Sequence, residues 1–491
     1  MGRGLPVPGV SGAENAKTKK LPSAERIGGI LFAAYLFVLI PVLSFYMKDG
    51  YRDLGNAKFE AYRLVSLPFI VPLFLCAVIR LVKAGRAKLS KRFCLTDAAA
   101  LSYAFFLTCS HLLSFDRTES LWGTTGWHLG WLTELLFIAF YFFARLFPVR
   151  LKPVAFIGCL CAGAVLLLAI TDRLGLPILP FRGFDYSFVS TIGNVDWYCG
   201  YLAMACAVAC AVLLRRDDAR SVKENPVRKN ALSMTGRVGA LLLLLLVDLS
   251  AISQGASAGL IILGISIPAM LAFSAFRSET GRGPRFFRGI FALLLLLIFC
   301  GILLLPLFWS EPSATIRLFQ WIDPAARLDR SRFTSVPLIT HASDEFGNGR
   351  GAIWRISWEL WRELPLLRRL FGIGPDNFAV YAYASPHINL LVTTAFGAAR
   401  LTNAHAEMLT VLIDEGILAA VSWSVFMLSA CVKLCARLKQ PRNGLTLAAL
   451  FAMVTLGAVQ AVTFRTVSAT PMLYILIGMA FSQNCHTGEN E

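Results

Sequence analysis

Long runs of apolar residues, separated by short polar connections, fill most of the chain. A helix that crosses the hydrocarbon of a bilayer needs about 20 mostly apolar residues. The runs therefore predict twelve transmembrane helices, at 27–46, 64–82, 93–113, 126–147, 153–170, 195–214, 237–253, 256–276, 289–309, 408–430, 444–464 and 467–482. The pattern predicts an all-α integral membrane protein.

Lysine and arginine are distributed unevenly between the two sides that alternate connections define. One set of connections carries 29 Lys and Arg residues, and the short connections of the other set carry 8. Basic residues concentrate on the cytoplasmic side of membrane proteins. We therefore predict a multi-pass protein of the cytoplasmic (inner) membrane, with both tails (1–26 and 483–491) in the cytoplasm.

The connection at 310–402 is far longer than the others and is predicted to be extracytoplasmic. It separates helices 1–9 (27–309) from helices 10–12 (403–482). Its ten basic residues are all Arg, and eight acidic residues accompany them. Arg can bind phosphate oxygens through two parallel hydrogen bonds, and so long a connection is usually functional. The loop is therefore interpreted either as a phosphate-recognising segment or as an Arg-rich segment that merely faces water.

A helix is predicted at 350–364 inside this loop, ending before Pro365. Its sequence, RGAIWRISWELWREL, places three tryptophans on one face, namely Trp354, Trp358 and Trp361. A Trp face with Arg beside it fits a short helix at the membrane interface. Packing of the Trp face on the outer ends of the bundle fits equally well. Both interpretations place Arg350 and Arg355 at the level of the lipid headgroups.

Composition agrees with a membrane protein and excludes several other classes. The chain is 56% hydrophobic and 16% charged, whereas soluble domains are about 25% charged. This excludes a cytosolic enzyme and a secreted disulfide scaffold. The net charge of +17 is explained by the cytoplasmic connections, so no nucleic-acid partner is predicted. No zinc-type Cys and His spacing, phosphate-binding loop or paired aspartates occur, so no metal and no cofactor are predicted.

His405 lies at the outer mouth of the helix that is predicted to begin near 408. A neutral imidazole can take a proton from a hydroxyl group near neutral pH, so His405 is a candidate general base. A single His at the mouth of a helix is also typical of a capping or interfacial residue. If the helix begins near 404, Glu407 points away from the face of His405 and need not orient it.

Three stretches of the chain carry a family resemblance. They are TIGNVDWYCGYL at 191–202, the loop segment 349–378 with GRGAIW, Pro365 and FGIGPDNF, and NAHAEMLTVLIDEGI at 403–417. In this order, around one long loop before the third-last helix, they resemble the O-antigen ligase and O-antigen polymerase family of bacterial membrane glycosyltransferases. The resemblance covers about 190–420.

The resemblance implies an α-helical glycosyltransferase that works on the outer face of the membrane without a metal. The donor would be a glycan on undecaprenyl pyrophosphate, and the acceptor a glycan or a lipid. His405 would be the base on the acceptor hydroxyl, and Arg350 would bind the pyrophosphate with Arg355 as a second ligand. Ligases and polymerases share these motifs, so both activities remain open.

Two positions depart from the family pattern. The family commonly has Ser-Arg at the outer link before the long loop, whereas residues 253–257 read SQGAS and lack that Arg. Arg355, Arg182 or Arg400 could take its place. In addition, Ala406 follows His405 where the family has Asn.

Two other classes of function are compatible with a polytopic protein of this kind. A non-enzymatic transporter or flippase for an anionic lipid or solute should carry polar residues along a pathway at mid-bilayer. The predicted spans are almost uncharged, which favours chemistry at the outer surface. A binding or assembly protein that uses the long loop as its docking module is the third interpretation.

Overall fold

A computed structural model describes residues 23–90, 93–149, 151–174, 188–214, 226–254, 346–437 and 444–482, together with isolated positions near 176 and 262. The predicted span 289–309, most of the predicted span 256–276 and the loop residues 310–345 lie outside the described residues. Arg182, residues 1–22 and the tail 483–491 also lie outside them.

The described chain is built almost wholly from helices. They are α1 (Ser23–Phe45), α2 (Leu54–Ser90), α3 (Leu95–Leu112), α4 (Arg117–Trp122), α5 (Trp131–Leu146), α6 (Leu151–Arg173), α7 (Val195–Leu214), α8 (Pro226–Gln254), α9 (Phe346–Glu363), α10 (Leu366–Phe371), α11 (Phe378–Ala384), α12 (Pro386–Phe396), α13 (Glu407–Asp414), α14 (Gly416–Arg437), α15 (Gly444–Gln460) and α16 (Thr470–Ser482). Two short strands, β1 (Phe188–Val189) and β2 (Gly193–Asn194), precede α7.

Six of the described helices are long and apolar enough to cross a membrane, judged by length and composition. They contain Ala24–Phe45, Leu54–Ala84, Pro153–Arg173, Val195–Leu214, Thr235–Gln254 and Gly416–Arg437. The apolar helices α15 and α16 are shorter, and the predicted spans 93–113 and 126–147 coincide with α3 and α5. This agrees with the predicted helical membrane class, while the number of twelve spans stays a prediction.

Consecutive long helices run in opposite directions. We call the site end the end of the bundle at which α1, α3, α6 and α8 finish and α2, α5, α7, α14 and α16 begin. Helix α7 packs against α8 and α15 and is the most enclosed of the six apolar helices. Its small residues, such as Gly200, Ala203 and Ala207, permit this close approach.

Helices α9 to α12 form a cap, which packs onto α3 and α14 at the site end through α10. The cap has its own apolar core, which includes Ile353, Ile356, Leu360, Leu364, Phe378, Ile388 and Val392. The packed face of α9 is thus the face that carries Ile and Leu. Trp358 is about half exposed and stacks on Trp361 with ring centroids 4.9 Å apart. As predicted, α9 ends just before Pro365.

The two strands are a small departure from the expected all-α fold. They pair antiparallel, with Phe188 opposite Asn194 and Val189 opposite Gly193. Ser190 at φ 49° and Gly193 at φ 119° close the turn between them. Strands of two residues are too short to give a period-two pattern in the sequence, so only the structure reveals this hairpin. It sets the starting point of α7.

The predicted span 408–430 is not one continuous helix. It is divided between Asp414 and Gly416, where α13 ends and α14 begins. The turn at 372–374 crosses this break, and the Gly374 N–H donates to the Asp414 carbonyl at 2.8 Å. Gly372 and Gly416 both have positive φ, and a Cβ on either would clash with the backbone of the other segment. The two glycines therefore permit the crossing.

Substitution of either crossing glycine should destabilise the protein. Gly372→Ala and Gly416→Ala each add a left-handed backbone penalty and a steric clash, together at least about 2 kcal/mol. We expect a clearly lower thermal unfolding midpoint in detergent for both variants. Gly163→Ala is the matched control, because a Cβ at Gly163 in α6 meets no atom within 4 Å. Equal midpoints for all three variants would contradict this account of the helix break.

Candidate functional site

His405 and Arg350 lie together at the site end, although 55 positions separate them in the chain. Both face the carboxylate of Asp196 in the first turn of α7. Arg350 Nη2 donates to the two carboxylate oxygens of Asp196 at 2.9 and 3.0 Å. His405 Nδ1 lies 3.9 Å from Asp196 Oδ2. A base candidate and a cation thus share one carboxylate.

Asp196 was not selected from the sequence, although it lies in the stretch 191–202 that carries part of the resemblance. The hairpin places it, because Asn194 at the end of β2 accepts the Asp196 N–H at 2.8 Å. An acidic residue in the first turn of a helix is stabilised by the helix dipole. One signal in the sequence pointed to Asp196: a helix-capping Asn is followed by an acidic residue at the mouth of a predicted span.

Arg350 lies near the start of α9, and its guanidinium is held at two points. Besides Asp196, the carbonyl of Val462 accepts a hydrogen bond from Arg350 Nε at 2.6 Å. Arg355 is exposed on the same helix. Five residues separate the two arginines, so they lie about 140° apart around the helix axis. The proposed contact of Arg355 with phosphate remains a prediction.

The backbone at His405 is in the left-handed region, with φ 47°. Such a conformation costs a non-glycine residue on the order of 1 kcal/mol. Two side chains hold it: Asn403 Oδ1 accepts the His405 N–H at 2.9 Å, and Trp354 Nε1 donates to the His405 carbonyl at 3.4 Å. The assumption of a helix from about 404 is therefore wrong. The helix begins at Glu407, because residues 403–406 form a turn instead.

Burial controls the proton affinity of the His405 imidazole. Desolvation lowers its pKa to about 4, the nearby Asp196 carboxylate acts to raise the pKa, and Arg350 acts to lower it. The ring also packs edge-on against Phe464, with centroids 5.2 Å apart. The imidazole is therefore neutral at ordinary pH. Its Nδ1 atom is buried, has no hydrogen-bond partner among the described residues and faces Asp196 Oδ2 at 3.9 Å.

Glu407 does not contact His405 but binds Arg465, a residue that sequence reasoning missed. Arg465 lies between α15 and α16, in residues 461–469, which we call the last connection. The Arg465 N–H donates to Glu407 Oε2 at 2.8 Å. One signal in the sequence pointed to Arg465. It is a lone Arg in a short connection, and predicted helices of this chain carry acidic residues at the same end.

An apolar cavity of about 190 Å³ lies in the bundle below the site end. Helices α1, α6, α7, α15 and α16 contribute most of its lining, and its three hydroxyl-bearing residues are Ser44, Tyr201 and Ser468. These three residues lie toward the site end, whereas Gly444 and Met479 line the opposite part. The cavity therefore presents an apolar interior with a polar end nearest the site.

Within the described residues, no group of three or more His, Cys, Asp or Glu side chains could hold a metal ion. His405 and Arg350 themselves could supply proton transfer and electrostatic stabilisation. An alkoxide-forming acceptor and an anionic leaving group match that pair.

No protein-family model matches the chain, and a search of curated proteins gives no significant match. The O-antigen ligase and polymerase resemblance accordingly stays an expectation from the sequence. The proposed roles of His405 and Arg350 rest on the geometry above and on that resemblance, and the proposed role of Arg355 rests on the sequence alone.

The electrostatic description of His405 predicts opposite effects for its two charged neighbours. Asp196→Asn removes the charge that raises the pKa of His405, so the pKa should fall below the value of about 4. Arg350→Gln removes a charge that lowers it, so the pKa should rise. Both shifts can be followed by nitrogen NMR of the imidazole, with His405→Ala to assign the signal.

Glu363→Gln is the control, because it changes a charge on the exposed side of the cap, next to His387. It should leave the His405 titration unchanged. A wild-type His405 that titrates near 6.5, and that responds to none of these changes, would show that the imidazole is not desolvated.

Proposed function

We propose that the chain is a membrane glycosyltransferase that transfers or polymerises a glycan from an undecaprenyl-pyrophosphate-linked donor. The reaction takes place at the outer face of the cytoplasmic membrane. The observation that carries the proposal is the meeting of a neutral, partly buried His405 with Arg350 across Asp196. The sequence resemblance and the apolar cavity support it independently.

In this reaction His405 is the general base on an acceptor hydroxyl. The hydroxyl oxygen forms the new bond to the anomeric carbon of the donor, and its proton passes to the imidazole. The bond between that carbon and the phosphate oxygen breaks, and its electron pair leaves on the pyrophosphate. A positioned base of this kind contributes roughly 10²–10⁴ in rate.

Asp196 supports the base, because its carboxylate lies 3.9 Å from His405 Nδ1. When the imidazole takes up the proton it becomes cationic, and the nearby negative charge stabilises that form. Asp196 already acts to raise the pKa of His405 in the resting site, where burial nevertheless lowers it to about 4. No metal is needed for this step.

Arg350 neutralises the pyrophosphate leaving group. Its side chain is only 15% exposed, so its charge acts through a partly dehydrated environment, where it is stronger than in water. The guanidinium fork matches phosphate oxygens in geometry as well as charge. Arg355 is proposed as a second phosphate ligand nearer the surface.

The apolar cavity supports a donor carried on lipid. A polyprenyl or acyl chain needs an apolar channel that runs with the membrane helices, and the cavity lies among such helices. Its polar end lies on the side of His405 and Arg350. A lipid-linked donor in the cavity would thus present its phosphates toward the site end.

Substitutions at the two site residues test the proposal with purified protein, a lipid-linked glycan donor and an acceptor, in the presence of EDTA. His405→Ala should leave donor binding nearly intact and lower turnover by roughly two to four orders of magnitude. Arg350→Lys keeps the charge but loses the planar fork, so both donor binding and turnover should fall.

His387→Ala is the matched control, because His387 is an exposed His in the long loop that also carries Arg350. Its turnover should equal that of the wild type. Near-normal transfer by His405→Ala would refute the base assignment, and activity that EDTA abolishes and a divalent ion restores would refute the metal-free mechanism.

The purified protein reconstituted into proteoliposomes distinguishes the transferase proposal from the transporter or flippase hypothesis. Movement of the donor lipid between leaflets with no change in its mass would support transport. A new glycosidic product supports transfer. The lipid-linked glycan that accumulates on deletion of the gene then separates the two enzyme activities, since single repeat units indicate a polymerase and finished chains indicate a ligase.

A further inference from the structure

Arg465 is a buried arginine surrounded by acidic side chains, and its own side chain is only 4% exposed. Nη1 donates to Glu134 Oε2 at 2.6 Å, and Nη2 donates to Glu415 Oε1 at 2.7 Å. Nε forms an ion pair with Glu407, and Nη1 also donates to the hydroxyl of Tyr103 at 2.8 Å. Helices α3, α5 and α13 and the break between α13 and α14 therefore converge on one guanidinium.

The last connection, which Arg465 anchors, also touches both site residues. The Val462 carbonyl accepts the hydrogen bond from Arg350 Nε at 2.6 Å. The ring of Phe464 packs against the imidazole of His405. On the other side, Glu407 lies two residues after His405 and binds both the backbone N–H and the Nε of Arg465.

We propose that Arg465 is a positioning residue of the site, holding the last connection and the start of α13 so that Arg350 and His405 keep their places around Asp196. The inference rests on the proposed function for its kinetic consequences. Its geometric content, the placement of His405 and Arg350, is independent of which reaction they perform.

A guanidinium is required here for geometric reasons. Three carboxylates approach it along three different N–H directions, which a planar fork supplies and a lysine ammonium does not. Removing one partner of a buried ion pair also leaves an uncompensated charge, which is strongly destabilising. Arg465→Lys should therefore loosen the last connection even though the formal charge is kept.

The carboxylates are not equivalent. Three acids against one cation leave an excess of buried negative charge, which is too costly to remain uncompensated, so bound protons must neutralise part of it. Glu407 uses both oxygens on Arg465, with Oε2 on the backbone N–H and Oε1 on Nε. Glu134 Oε1 and Glu415 Oε2 have no hydrogen-bond partner among the described residues, so they are the places for protons.

Neutral amide variants use this difference as a test. Glu407→Gln should disturb the site, because an amide is a poor partner for two N–H donors at once. Glu415→Gln should be tolerated, because an amide resembles the protonated acid that it replaces. The comparison stays informative even if Arg465→Lys fails to fold.

Two measurements report the outcome: the imidazole titration of His405 by NMR, and kcat and KM for lipid-linked donor and acceptor. In Arg465→Lys and Glu407→Gln we expect the pKa of His405 to rise from about 4 toward that of a solvated imidazole. We also expect kcat to fall by roughly 10-fold to 100-fold, the cost of misplacing a reacting group by about 1 Å.

Arg145→Lys is the matched control, because Arg145 is a partly buried Arg at the opposite end of the bundle, paired with Asp97 at 2.7 Å. It should change neither His405 nor kcat. If Glu407→Gln lowers only the unfolding midpoint, with the His405 titration and kcat unchanged, Arg465 has a purely structural role and the inference is overturned.

The titration tests the positioning role, and the kinetics test the proposed function. A changed His405 titration in Glu407→Gln, with no glycan transfer even by the wild type, would uphold the positioning role and reject the proposed function. Normal transfer by Glu407→Gln, together with loss of transfer in His405→Ala, would do the reverse.

Discussion

Charge buried in an apolar helix bundle must be paired, because an isolated ion away from water costs several kcal/mol. At the site end this constraint is met by two clusters, one around Asp196 and one around Arg465. Each cluster joins elements that are far apart in the chain. The position of the cap, of α13 and of the last connection relative to α7 depends on these pairings.

The same exclusion of water sets the chemistry of the site. It keeps the His405 imidazole neutral, with a pKa lowered to about 4, and it strengthens the attraction between Arg350 and any anion that approaches. In the proposed reaction, such a base and such a cation are pre-organised for transfer from an anionic leaving group. Among the described residues, buried ion pairs lie toward both ends of the bundle, Arg465 with Glu134 at the site end and Arg145 with Asp97 at the opposite end.

How much of the fold the sequence predicts depends on how far apart along the chain the interacting residues lie. Apolar runs reveal membrane helices, and a local signal such as Pro365 reveals the end of α9, because both depend on neighbouring residues. Asp196 lies 154 positions before Arg350, and Glu134 lies 331 positions before Arg465. Such pairs leave no pattern in a single sequence. The prediction of His405 and Arg350 as a site combined the chemistry of the two residue types with the resemblance, and only the structure brings the two side chains together.

The segments that carry the resemblance also contain residues that position the site segments but are not among the site residues. Gly372 and Gly374 have positive φ and allow the turn that crosses the end of α13. Asp376 accepts the N–H groups of Thr124 at 2.7 Å and of Leu129 at 3.0 Å, and burial raises its pKa to about 7 although these hydrogen bonds act to lower it. The turn is thereby fastened to the connection between α4 and α5. Because α13 begins two residues after His405, this turn helps to place His405 through the position of α13. The spacing of these segments is therefore a folding constraint.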